Sequence, residues 1–244
     1  MNRTQGQKDE RPLIERAIRW TEGFSRWPER CLNELSAASV LKRYERGELI
    51  ASPDAEVPEV LAVISGYMLA RRIDAGGARS SFEVIGPGQV VELTQALGVH
   101  DGSNFDYVAH SDAVVVHIPA AALMHVLETD PSLWKDALRM ALREQREAFD
   151  GLIDRFVGGL RQRLTATIDR LATQHGVSDG AKQSLRLRLT QEDLAAMLQV
   201  SRQSINRELQ SLHRSGVVSP DYNSLTILDR RALRMAAGRS AHVN

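Results

Sequence analysis

Arg202, Gln203, Asn206, Arg207 and Gln210 recur at spacings that set them on one face of a helix, with Ile205, Leu209 and Leu212 behind them at steps of four and three. Guanidinium and carboxamide groups offer forked arrays of donors and acceptors. Arg bonds bidentately to guanine, and Gln or Asn to adenine, so such a face suits base edges in a DNA major groove. Thr190, Ser201 and Ser204 add hydroxyls at two expected helix N-termini, where they donate to phosphates and position a domain without reading sequence. Gln191, beside Thr190, joins the same group. Any single polar residue on an outer helix face is ordinarily only solvated. The constellation, with no acid between Ser201 and Glu208, is what implies a nucleic-acid surface.

Two elements must hold that surface. Thr190-Gln191-Glu192-Asp193 has the form of a capping box and starts a helix that places Leu194, Ala195 and Leu198 on one face. Gln199-Val200-Ser201 is a short turn, with Ser201 as N-cap of the second helix. Gly216 ends the helical region, and residues 217–219 and 224–228 form a hairpin around Pro220-Asp221-Tyr222-Asn223. Two helices, a three-residue turn and a hairpin make a winged helix-turn-helix, within a domain expected over residues 158–244.

Upstream the character changes, and the fold class expected for the whole chain is α+β. Residues 1–12 read as a disordered arm, followed by a helical pattern that Pro28 interrupts, together an N-terminal segment of 1–29. A domain over 30–128 contains short apolar runs at 39–44, 59–65, 67–73, 80–85 and 113–118. Gly47, Gly66, Ala75-Gly76-Gly77 and Pro87-Gly88 punctuate them, the pattern of an antiparallel sandwich or barrel. A short helix is expected at 120–128, and a long one within 129–157, opened by Pro131. In the long one Trp134, Leu138, Ala141, Gln145, Ala148 and Leu152 alternate steps of four and three, as in a two-helix coiled coil. The stripe serves either as a seam between two copies or as packing against the β-domain; the small residues at its centre weaken the first reading. Phe156 and the pair Gly158-Gly159 follow as a hinge, because glycine lowers helix propensity by ~1 kcal/mol per residue. Residues 160–174 read as a further helix and 177–183 as a loop.

The net charge of zero hides an asymmetry. Residues 1–159 hold 18 basic and 24 acidic side chains, whereas residues 160–244 hold 13 and 7. A neutral chain with one basic end fits a sensing or oligomerising half joined to a nucleic-acid-binding half. No apolar run approaches the ~18 residues of a membrane span, and residues 1–11 lack a signal peptide's apolar core. Cytoplasm, with no membrane partner, is therefore expected. Cys31 is the one cysteine, so no internal disulfide forms.

Leu189-Thr190-Gln191-Glu192-Asp193-Leu194-Ala195 and Val200-Ser201-Arg202-Gln203-Ser204-Ile205-Asn206-Arg207 resemble the cyclic AMP receptor protein/fumarate-nitrate reductase regulator (Crp/Fnr) family. The likeness extends over about residues 30–240, through Arg43-Tyr44-Glu45-Arg46-Gly47-Glu48, Ser65-Gly66 and Pro87-Gly88, which look like turns of that family's β-roll. It implies a cyclic-nucleotide-binding-like jelly roll, a dimerisation helix and a homodimer on an inverted-repeat operator, with RNA polymerase as a further partner. It also implies Thr190, Ser201 and Ser204 at phosphates, and Arg202, Gln203 and Arg207 facing bases. The family usually has Glu where Gln203 stands; Glu accepts from cytosine N4 and Gln prefers adenine, so the operator should depart from the usual one there.

Members that take a cyclic nucleotide follow the Pro-Gly turn with Gly-Glu, then Arg-Ser or Arg-Thr about ten residues later. Here the stretches read Pro87-Gly88-Gln89-Val90-Val91-Glu92-Leu93 and Asn104-Phe105-Asp106-Tyr107, with no cation for the phosphate. Cyclic AMP or GMP is not expected. An iron–sulfur cluster needs several thiolates, and Cys31 is alone. Haem stays open, with His100, His110 or His117 as axial ligand, as does a redox role for Cys31 beside Arg30. A gas sensor of the same architecture is thus the alternative, and the cofactor is unassigned. A cupin-like barrel enzyme is the reading from another class, but His100 and His110 lie ten residues apart with no H-x-H pair. Nor is there a Ser-His-Asp order, a phosphate-binding glycine loop or a pair of catalytic carboxylates, so neither enzyme activity nor a metal site is expected.

Overall fold

The computed structural model describes residues 6–21, 23–73, 79–99, 105–156, 158–179, 184–187, 189–221 and 223–238. The chain divides into two compact units, 1–148 and 149–244, so the division falls inside the long helix.

The first unit opens with α1 (Gly6–Trp20) and α2 (Glu29–Ala38). The expected disordered arm is corrected here: α1 starts at Gly6 and runs through Pro12. Its apolar stripe Ile14, Ala17 and Ile18 is buried, and that burial outweighs what Pro12 costs the helix. Pro28 stands at the N-cap of α2, with fixed φ of −56°.

Among the described residues eight strands follow: β1 (Val40–Tyr44), β2 (Leu49–Ala51), β3 (Glu59–Ser65), β4 (Met68–Ile73), β5 (Arg79–Ile85), β6 (Val90–Val91), β7 (Asp106–Ala109) and β8 (Ala113–Pro119), with the short α3 (Leu93–Ala96) between β6 and β7. They form two antiparallel sheets, ordered β1-β8-β3-β6 and β2-β7-β4-β5. Period-two alternation explains the near-continuous apolar runs of β3 and β8. Leu61, Val63, Ala113 and Val115 point into the core that also holds Met68, Ile85 and Tyr107. Val60, Ala62, Val116 and Ile118 point the other way, onto the helices. Gly66 turns β3 into β4 at φ +75°, and a Cβ there would collide with the backbone of Asp112 and Ala113. The Ala75-Gly76-Gly77 turn, His100 and Asn104 lie outside the described residues.

After β8 come α4 (Ala120–Thr129), a 3₁₀ turn at Pro131–Leu133 and α5 (Trp134–Phe156). Leu123, Val126, Leu127, Leu133, Ala137, Met140 and Ala141 join the core formed by α1 and α2 against the first sheet.

The second unit contains α6 (Leu160–His175), β9 (Val177–Asp179), β10 (Ser184–Leu187), α7 (Gln191–Leu198), α8 (Arg202–Arg214), β11 (Val218–Asp221), β12 (Ser224–Ile227) and α9 (Arg230–Ala236). The loop expected at 177–183 is corrected at its first residues, which form β9. Pairing of β9 with β10, and of β10 with β12, extends the wing hairpin to a four-stranded sheet ordered β11-β12-β10-β9. Residues 180–183 and Tyr222 lie outside the described ones.

Candidate nucleic-acid interface

The helix pair is fastened by its caps. Thr190 Oγ1 accepts from Asp193 N–H at 3.1 Å, and Asp193 Oδ2 answers by accepting from Thr190 N–H at 2.7 Å. The Thr190 hydroxyl hydrogen remains available to a further acceptor, because a hydroxyl both donates and accepts. Gln199 ends α7 in the left-handed region at φ 53°, ψ 45°, its N–H directed to the carbonyls of Ala195 and Ala196. That single residue turns the chain, and Ser201 then caps α8 by accepting from Ser204 N–H at 3.2 Å.

The division of α8 into two faces follows. Ile205, Leu209 and Leu212 are buried, while Arg202, Gln203, Asn206, Arg207 and Gln210 are exposed and Ser204 is half-buried. The exposed groups touch the preceding helix. Arg202 Nη1 donates to Glu192 Oε1 at 3.2 Å, and Gln191 Nε2 donates to Asn206 Oδ1 at 3.3 Å. Sequence reasoning missed the first contact, since Glu192 lies on α7, ten residues away, where no helical periodicity relates it to Arg202.

Beside this face lies the sheet of the wing. Arg186 on β10 donates through Nε and Nη2 to Ser224 Oγ at 3.2 and 3.0 Å, and its Nη2 lies 3.6 Å from Asp221 Oδ2. Arg186 was also missed, although the alternation of 184–187 could have marked a strand with Arg186 outward. Behind the helices, the buried Asp169 on α6 accepts from Arg230 Nε at 3.1 Å and Arg234 Nε at 3.3 Å, which fixes α9 to α6.

Residues 162–236 match the family model described as a Crp-like helix-turn-helix domain, and residues 41–130 match the one described as a cyclic nucleotide-binding domain. Together they take in well over half of the chain. The chain belongs to the Crp/Fnr family of transcription regulators. It is 23% identical over 200 residues to Electron transport regulator A of Shewanella oneidensis, covering 82% of this chain and 79% of that relative. Over 196 residues it is 21% identical to the CRP-like cAMP-activated global transcriptional regulator of Mycobacterium tuberculosis, covering 80% and 86%. In fold it is similar to FixK2 from Bradyrhizobium japonicum, with a TM-score of 0.71 at 18% identity, covering 84% of this chain and 99% of that one.

In this Crp/Fnr regulator the residues of the expected α5 stripe do not share one environment. Ala141 is buried in the core of the first unit and Ala148 lines a cavity there, so these two expected dimer contacts face inward. Leu138, Leu142 and Phe149 are instead exposed, at 56%, 60% and 61%. With Leu152, and with Gln145, which is exposed yet also lines that cavity, they restore alternating steps of four and three; this face keeps Leu138, Gln145 and Leu152 of the expected stripe and has Leu142 and Phe149 in place of Ala141 and Ala148, with Trp134 and Ile153 at its flank. The shift arises because the small residues fit the close approach of the unit's own core. Of the expected hinge, Phe156 ends α5, Gly158 sits at φ +91° and Gly159 is the N-cap of α6.

The Crp/Fnr β-roll holds a cavity of about 280 Å³. Glu83, Glu92, Phe105, Tyr107 and Glu144 line it, with apolar wall from Ile85 and Val91. Glu92 is only 7% exposed and takes φ 69°, a left-handed conformation that costs a side-chain-bearing residue roughly 1 kcal/mol. The Tyr107 hydroxyl donates to Glu92 Oε1, and Glu92 N–H donates to Glu144 Oε1 at 2.8 Å, which holds the strained residue between β7 and α5. Glu144 Oε2 is buried without a hydrogen-bond partner. Burial pushes the Glu144 carboxyl up to about 8, against the pull of the backbone at Glu92 and Leu93 and with the repulsion of Glu92 and Glu83 behind it.

His117, one of the haem candidates, is committed elsewhere. It is buried, with Nδ1 2.6 Å from Glu59 Oε2 and Nε2 2.8 Å from the Tyr44 hydroxyl. Both ring nitrogens are thus engaged by side chains of the protein, which leaves neither for a metal. The hydrogen bond from His117 holds the Glu59 carboxyl below the usual range, while burial and the nearby acids Glu59 and Glu48 push Tyr44 up to about 12. Cys31 is buried in the helical core beside Leu32 and Leu35, away from any soluble oxidant. Among the described residues no helix is long and apolar enough to cross a membrane.

Proposed function

We propose that the protein acts in the cytoplasm as a homodimer that grips an inverted-repeat operator and regulates transcription through RNA polymerase. The observation that carries this is the sorting of α8, with Arg202, Gln203, Asn206 and Arg207 open to solvent over the buried back of Ile205, Leu209 and Leu212. Thr190, Gln191, Ser201 and Ser204 take phosphates at the two helix N-termini, and Arg186 adds a backbone contact from the wing side. Arg202 exchanges Glu192 for a base on docking. The exchange costs little, because an exposed ion pair is worth about 0–1 kcal/mol. Two copies joined along α5 place the recognition helices one helical turn apart, ~34 Å, and the segment at Phe156, Gly158 and Gly159 lets each DNA-binding domain take up the binding or the idle geometry.

The β-roll is the sensing half and does not take a cyclic nucleotide. The described lining of its cavity presents carboxylates where a cyclic phosphate requires a cation. Selection of bound fragments from random DNA, followed by footprinting, tests the core of the proposal. The expected result is a symmetric footprint with two half-sites, weakened by about 1–3 kcal/mol in Arg207→Ala with specificity relaxed at one base pair. Exchanging Gln203→Glu should move the preference at its own base pair from adenine toward cytosine. A single asymmetric half-site, or equal loss on operator and random DNA, overturns the reading.

A further inference from the structure

The cavity of the β-roll is lined by three carboxylates and no described basic side chain. Arg71 on β4 stands opposite Asp106 in the ladder with β7, and neither it nor Arg143 or Arg146 of α5 belongs to the lining. Glu144 places a buried oxygen there with nothing donating to it. A buried polar atom without a partner is costly, and a ligand that hydrogen-bonds to it as the carboxylate recovers that cost. Ile85, Val91, Phe105 and Tyr107 give it apolar and aromatic wall, Thr94 and Gln145 add uncharged polar groups, and the volume of about 280 Å³ suits a small molecule. No group of three or more His, Cys, Asp or Glu among the described residues is placed to hold a metal ion.

Resting on the reading of the β-roll as the sensing half, we propose that this cavity binds a small organic cation, its ammonium group on the carboxylates of Glu144 and Glu92 and its apolar body against Phe105 and Ile85. Glu83, facing from β5, adds to the negative field, and the aromatic rings add attraction for a cation at their faces. The ligand reaches both halves of a mechanical link. Glu144 belongs to α5, and Glu92 belongs to the turn entering α3, held from the other side by Tyr107 on β7. A cation there draws α5 and the β-roll together. At neutral pH the Glu144 carboxyl carries a proton, since burial raises it to about 8, and the entering ammonium expels that proton. Among the described residues the titratable groups that face Glu144 in the cavity are Glu92, Glu83 and the Tyr107 hydroxyl, with Glu147 one turn on along α5, where its carboxylate accepts from Gln89. Affinity therefore rises with pH toward about 8.

Calorimetry on the full chain tests this with phenethylammonium and hexylammonium as probes, 3-phenylpropanol as the neutral analogue, and 3-phenylpropionate and cyclic AMP as anions. The expected result is saturable binding of at least one amine, about tenfold or more tighter than the neutral analogue, with proton release below about pH 8 seen as buffer-dependent heat. Glu144→Gln retains an acceptor for Glu92 N–H; it should abolish the proton release and weaken the amine about tenfold, and Glu83→Gln should weaken it to a smaller degree. Circular dichroism checks that both variants fold, and should Glu144→Gln fail to, proton release and Glu83→Gln decide. Binding of neither amine, equal binding of the neutral or anionic probes, or amine binding unchanged in the folded variants overturns the proposal. Anisotropy with labelled operator on the same preparations separates the two readings. Operator binding without amine binding sinks this inference alone, and amine binding without operator binding sinks the regulator.

Discussion

Glu144 and Glu92 show how one side chain can couple distant parts of a fold. A carboxyl buried on α5 answers the backbone of a residue 52 positions earlier, and that residue is strained into a conformation glycine would occupy more cheaply. The folded protein holds the Glu144 proton more tightly than the unfolded chain does. Between the ordinary carboxyl value of 4.5 and about 8 the folded state therefore binds more protons, and this group makes stability fall as pH rises through that window. Thermal melts of the protein and of Glu144→Gln should diverge accordingly, the variant gaining on the parent between about pH 5 and 8. Parallel curves would show that the carboxyl titrates in its ordinary range.

At the scale of elements, each helix of the second unit is secured by a polar device as well as an apolar back. The capping box of α7 and the Ser201 cap of α8 satisfy N–H groups that a helix end leaves open. Asp169 does the equivalent for α9, accepting from two guanidinium groups while only 4% exposed. Asp169→Ala should lower stability by about 2 kcal/mol, read from the midpoint of urea denaturation, because it leaves both Arg230 and Arg234 without that carboxylate. Asp169→Asn, which keeps an acceptor in place, should lose less. A loss in the alanine variant no larger than a surface substitution's, about 0.5 kcal/mol, would mean that Leu233 and its neighbours hold α9 unaided.

For the whole molecule the decisive surface is the open stripe of α5. If Leu138, Leu142 and Phe149 form the seam between two copies, Leu142→Glu should convert a dimer to a monomer in light scattering while the circular dichroism of each domain persists. Ala141→Leu is the informative contrast. That position lies in the protomer's own core, so the larger side chain should cost about 1–3 kcal/mol of stability rather than dimer affinity. A Leu142→Glu protein that remains dimeric would place the seam elsewhere.

Local chemistry made the recognition helix readable from the amino-acid order alone. Caps, a three-residue turn and a 3.6-residue apolar period act over a few positions, so α7, α8 and the wing lie where the spacing places them, as do the long strands of the β-roll. Short strands escaped: β6 has two residues and β2 three, too few to show a period, and each exists because a neighbour offers its edge. The face that α5 turns outward, the pairing of Arg202 with Glu192, and the gathering of Glu83, Glu92, Tyr107 and Glu144 around one cavity were decided by tertiary packing. Helical periodicity defines stripes but not which stripe meets the core; that depends on how closely Ala137 and Ala141 let the helix approach the rest of its own unit.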